Sequence, residues 1–173
     1  MVNKKFVLLN ISGIGLILIT VLFWMIFANF SFFAALFSAY PATAENIPFF
    51  ATLAFGFTSA VVAVLLLVCF RRSIKPVLIV LLIASSMAAY FMDTYHILID
   101  HAMIRNTLET DTHEAGDLVS LGMFGYLFFL GILPAVYVWQ ANISFRPFYQ
   151  ELVFRLKLTG LLSVTLLILL FLQ

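Results

Sequence analysis

Five long apolar runs dominate this chain, at about 6–28, 47–70, 76–91, 118–139 and 156–172. Each approaches or reaches the ~17–25 residues that a helix needs to cross the hydrocarbon of a bilayer. In hydrocarbon every backbone N–H and C=O must be bonded within the protein, so only helices or closed barrels can span it. The short alternating pattern of barrel strands is absent, and helices are what remains. Hydrophobic residues make up 64% of the 173 residues and charged residues only 10%, more apolar surface than water could cover. The expected fold class is all-α integral membrane, a bundle of five transmembrane helices over 1–173. The first run imitates a secretory signal, with Lys4 and Lys5 before it and Ala42-Thr43-Ala44 after it. It is far longer than the ~7–15 apolar residues of a signal core, so it is read as a retained helix.

Alternating the loops across five spans puts Lys4, Lys5, Arg71, Arg72, Lys75, Arg146, Arg155 and Lys157 on one side and only Arg105 on the other. Short loops rich in Lys and Arg stay cytoplasmic. The layout expected from this is a multi-pass protein of the bacterial inner membrane with a cytoplasmic N-terminus and a periplasmic C-terminus. Glu45, Asp93, Asp100, Glu109, Asp111, Glu114 and Asp117 fall outside, as do His96, His101 and His113, with Glu151 alone among the acids inside. Carboxylates do not set topology, so this one-sidedness has another cause. Cys69 is the single cysteine, which excludes an internal disulfide and dithiol redox chemistry.

The connections at 71–75 and 142–151 are short and basic, as expected of helix hairpins. Pro76 suits the start of a helix, and Pro134 predicts a kink within the fourth span. Ser85, Ser86, Gly122, Gly125 and Gly131 are small residues at which helices can approach closely. Asn29 to Asn46 carries Phe30, Phe32, Phe33 and Phe37 and is expected at the lipid interface.

Between Asp93 and Asp117 the apolar pattern weakens without vanishing. Asp100 can cap a short helix through about Thr110, with Met103, Ile104 and Leu108 on one face, which predicts a short periplasmic interfacial helix between helices 3 and 4. Asp111 and Glu114 have capping-box spacing ahead of the fourth span. Asn106 and Thr110 are four residues apart on one face, and Glu114 follows four further on. Together they offer an amide, a hydroxyl and a carboxylate, groups that could hold a cationic headgroup such as an ethanolamine. The same spacing also fits a solvated surface residue, a helix end and a capping carboxylate. The three histidines show no recognised metal-ligand spacing. No phosphate loop, nucleophile with a base or nucleic-acid stripe is present.

The stretch Tyr90 to Asp117, reading YFMDTYHILIDHAMIRNTLETDTHEAGD, resembles the membrane domain of the bacterial phosphoethanolamine transferases that modify lipid A, a family that includes colistin-resistance enzymes. Asp100, Met103, Ile104, Asn106, Thr110 and Glu114 carry the likeness. Asn29-Phe30 with Phe33, Leu133-Pro134-Ala135 and Phe148-Tyr149-Gln150-Glu151-Leu152 extend it over the chain. The resemblance implies a five-helix anchor followed by a periplasmic catalytic domain, lying outside this chain, that holds zinc and a threonine nucleophile. It implies transfer of phosphoethanolamine from phosphatidylethanolamine to lipid A or lipopolysaccharide, with Asn106, Thr110 and Glu114 as contacts to the donor lipid. No cofactor and no catalytic residue is expected within residues 1–173, which alone should be inactive, and no nucleic acid is a partner. A stand-alone inner-membrane scaffold or small transporter is the alternative, though the spans show almost no ionisable midplane residues.

Overall fold

The computed structural model describes residues 10–41, 43–95 and 120–171. A strand β1 (Asn10–Ser12) leads into α1 (Gly13–Phe27), followed by α2 (Phe30–Ala39), α3 (Ile47–Val68) and α4 (Ile74–Tyr95). After 96–119, α5 (Leu121–Tyr126) runs through a π-helical turn (Leu127–Ile132) into α6 (Leu133–Gln140). Strand β2 (Asn142–Ser144) and α7 (Phe148–Phe171) complete the order. Among the described residues four helices are long and apolar enough to cross a membrane: Ala44–Val68, Ile74–Tyr95, Leu121–Gln140 and Phe148–Phe171. The pair α1 and α2 passes the same test as one unit, bent by 55°.

The first apolar run differs from its sequence expectation. Residues 10–12 are extended rather than helical, and α1 begins only at Gly13. Ser12 is the physical reason, because its hydroxyl accepts from the Gly15 N–H at 3.1 Å and caps the new helix. The strand that precedes it pairs in parallel with β2, matching Asn10 to Asn142, Ile11 to Ile143 and Ser12 to Ser144, so two identical triplets lie side by side. Asn29 makes the bend after α1. Its side-chain amide donates to the Trp24 carbonyl at 3.0 Å while its own carbonyl accepts from Phe33 N–H, which lets the chain turn without leaving either buried group unpaired.

The core is formed by Ile17 and Val21 of α1, Leu66 of α3, and Ile74, Leu78 and Leu82 of α4, with Ala135 and Val138 of α6 packed on it. Leu67, Val80, Trp139, Leu161 and Leu167 point outward and are largely exposed. In water that surface would forgo the gain of about 25 cal/mol per Å² that burial brings, whereas lipid tails remove it from water. Ser86 is fully buried against Gly131, where an added Cβ would lie 2.7 Å from the Ser86 Oγ. This contact brings α4 against the π turn. Pro134 lies just past that turn and has no N–H to donate, so the widened turn absorbs the missing bond at this point.

Helix α7 starts at Phe148 rather than near 156, and its inner-face contacts are with α3. Arg155 is its buried residue, 4% exposed. The guanidinium donates to the carbonyls of Leu66 and Cys69 at the end of α3 and to the Glu151 carboxylate at 3.1 Å, one turn earlier on α7. Those carbonyls have no N–H ahead of them in the helix, and Arg155 takes their place.

Three results are expected from thermal unfolding in detergent. Arg155→Ala should lower stability by about 3 kcal/mol, because it leaves two carbonyls and a largely buried carboxylate without a donor. Gly131→Ala should cost about 1–2 kcal/mol by forcing Ser86 from its bond to Ile83 O. Gly125→Ala, with nothing within 4 Å of the added methyl, should be neutral or stabilising.

Candidate functional site

At the end of the bundle away from Arg71, Arg72 and Lys75, three elements converge on one carboxylate. Asp93 occupies the last turn of α4, half-buried, beyond the apolar run that ends near 91. Its Oδ1 accepts from the Ser31 hydroxyl on α2, and its Oδ2 accepts from the Tyr126 hydroxyl on α5 at 2.9 Å. Each carboxylate oxygen therefore fastens a different helix to α4. Hydrogen bonds to a charged acceptor are worth about 1.5–3 kcal/mol each.

One turn earlier on α4, buried Tyr90 organises the same end. Its hydroxyl is 2.7 Å from the Ser120 Oγ, which also accepts from Met123 N–H and so caps α5. The Tyr90 ring meets Tyr126 at 5.7 Å and Tyr95 at 6.2 Å, both edge-on, and Tyr95 stacks on Phe91. These are favoured geometries for aromatic pairs, worth about 0.5–1.5 kcal/mol beyond burial. Tyr95 and Ser120 are the residues that flank 96–119. Tyr90 touches both, and so the two roots of that segment are held together on a rigid polar and aromatic platform.

The predicted donor-lipid residues Asn106, Thr110 and Glu114 lie outside the described residues, as do the interfacial helix and His96, His101 and His113. The platform itself combines Ser31, Tyr90, Asp93, Ser120 and Tyr126, drawn from three separated stretches of chain. Sequence spacing offered one signal for it: Tyr90 and Asp93 are three apart on one helical face at the end of an apolar run. Among the described residues no three His, Cys, Asp or Glu side chains gather to hold a metal ion.

Outward apolar helices, a π-bulged span and a hydroxyl-ringed carboxylate at one end define a membrane-embedded helical domain. Residues 57–173 match the family model of phosphoethanolamine transferase EptA/EptB, and the chain belongs to that family. It is 33% identical over 159 residues to phosphatidylethanolamine transferase Mcr-2 of Escherichia coli, covering 92% of this chain and 29% of the relative. Against Mcr-1 of the same organism the identity is 33% over 150 residues, 86% of this chain and 28% of that protein. The solved structure of the lipooligosaccharide phosphoethanolamine transferase A (EptA) from Neisseria meningitidis superimposes on 95% of this chain with a TM-score of 0.86 at 22% identity, covering 31% of that protein. The chain thus has the fold of an EptA-type membrane domain and spans under a third of the length of these relatives.

Removing the Asp93 carboxylate should loosen this end. Asp93→Ala is expected to cost about 2 kcal/mol in thermal unfolding, since two hydroxyls lose a charged acceptor. Combining it with Tyr126→Phe should add less than the sum of the single effects, because the two side chains share one bond.

Proposed function

We propose that this chain serves as the membrane domain of an enzyme that moves phosphoethanolamine from phosphatidylethanolamine to lipid A or lipopolysaccharide. Family membership supports the reaction class, and the printed names of the Escherichia coli relatives specify phosphatidylethanolamine transfer for those proteins. In this reading the five spans anchor the enzyme in the inner membrane with the basic end cytoplasmic, the distribution that Lys and Arg favour. The Asp93 end then faces the periplasm, and 96–119, including the interfacial helix, lies beside the lipid headgroups.

The observation that supports the proposal is that Tyr90 contacts both Tyr95 and Ser120, the residues on either side of the stretch of sequence that contains Asn106, Thr110 and Glu114. A segment anchored at both ends has less conformational entropy to lose when it closes on a ligand. Glu114 would meet the ammonium of the donor, while Asn106 and Thr110 would hydrogen-bond its polar headgroup oxygens. Cleavage of the donor requires a nucleophile and an electrophilic partner for the phosphate. The relatives extend far beyond the matched part, and the zinc and threonine nucleophile are assigned to a periplasmic catalytic domain that works against this platform.

The test is to replace Asn106, Thr110 and Glu114 by Ala, one at a time, in the protein as its gene encodes it. Lipid A is then analysed by mass spectrometry alongside the membrane abundance of each variant. Each change should reduce phosphoethanolamine addition by about tenfold or more, the value of one charge-assisted hydrogen bond, at unchanged abundance. Unaltered modification in all three would remove the donor-lipid assignment.

A further inference from the structure

The basic end of the bundle contains a second feature that the transfer reaction does not use. A surface cleft of about 410 Å³ opens between the α3–α4 turn and the start of α7, lined by Phe70, Arg71, Arg72, Phe145, Arg146 and Phe148 together with Glu151 and Arg155. Four cations and one acid therefore face the same space. Glu151 and Arg155 are bound to each other, and Arg155 is further committed to the carbonyls ending α3. Arg71, Arg72 and Arg146 have no ion-pair partner among the described residues.

Aromatic rings place two of these guanidinium groups. The Arg71 Cζ lies 5.8 Å from the centre of the Phe145 ring, and the Arg146 Cζ lies 4.4 Å from that of Phe154. A ring under the guanidinium face restrains it while leaving its N–H edge available, which suits the bidentate recognition of phosphate oxygens. Loop arginines that only set topology need no such placement. Exposed Phe148 and Phe70 border the cleft at the level where helix α7 leaves its connecting loop, so a molecule in it would meet both charge donors and apolar surface.

We infer that this cleft binds the phosphate group of an anionic phospholipid, with Arg71, Arg72 and Arg146 as donors and the phenylalanines against the upper acyl chains. Free phosphate shares the recognised chemistry but offers nothing to the aromatic border. A zwitterionic headgroup brings an ammonium into a space whose single carboxylate is already paired. Basic pockets between membrane helices are known physical solutions for anionic headgroups.

Isothermal titration of the purified full-length protein in detergent tests this, using dihexanoyl phosphatidylglycerol, dihexanoyl phosphatidylcholine and inorganic phosphate as separate probes. Phosphatidylglycerol should bind more tightly than either of the others. Arg71→Gln and Arg146→Gln should each weaken it by about tenfold, as expected for loss of a charge-assisted bond, with helical circular dichroism unchanged. Lys157→Gln removes a positive charge from the same end but outside the cleft, and it should leave the affinity as it was. Where a glutamine variant unfolds, the Arg71→Lys and Arg146→Lys variants keep the charge and should still lose several-fold through their missing fork. Equal affinity for phosphatidylcholine, equal affinity for inorganic phosphate, or a Lys157→Gln loss as large as those of the arginine variants would overturn the assignment.

Discussion

A backbone amide or carbonyl surrounded by hydrocarbon must find a partner within the chain, and each break in this bundle is built to meet that demand. Arg155 supplies donors to the carbonyls that end α3. Asn29 bonds the backbone on both sides of the α1–α2 bend, and Lys75 reaches the Trp139 carbonyl near the end of α6. The π turn ahead of Pro134 meets the same constraint without a side chain, by widening where a donor is missing. Because Arg155 and Lys75 bond carbonyls that are distant in sequence, they also help decide which helix lies beside which.

The two ends of the bundle use polarity differently. At one end Asp93 and Tyr90 gather hydroxyls and rings into a platform whose groups are mutually satisfied, so their effect is geometric: they fix where the chain leaves α4 and where it rejoins at Ser120. At the other end three arginines around an open cleft have no ion-pair partner among the described residues. A satisfied network holds shape, whereas an unsatisfied one attracts a ligand. This contrast is why the platform is assigned to positioning and the cleft to binding.

Much of the fold is legible in the sequence because spanning hydrocarbon requires a countable number of apolar residues. The apolar runs near 47–70, 76–91, 118–139 and 156–172 each overlap a helix of this kind, and Gly131 with Ser86 forms the close approach that small residues permit. Helix ends are less legible. The first turns of α7 mix Gln150, Glu151 and Arg155 with aromatics and resemble a basic loop until the i to i+4 ion pair and the α3 carbonyls give these residues partners. Asp93 looks like the start of a polar loop for the same reason: its partners Ser31 and Tyr126 are 62 and 33 residues away, and no local pattern links them. The family, by contrast, is legible from the order of residue types in the stretch Tyr90 to Asp117, and the match of residues 57–173 to the family model bears it out.

The pairing of Asn10–Ser12 with Asn142–Ser144 ties the chain's beginning to a point beyond its sixth helix. A parallel ribbon of this kind cannot form until residue 144 has been synthesised, after all the helices that lie between the two strands. Its closure is therefore a late event in biogenesis, one that latches α1 in place only after the helices it must pack against have arrived.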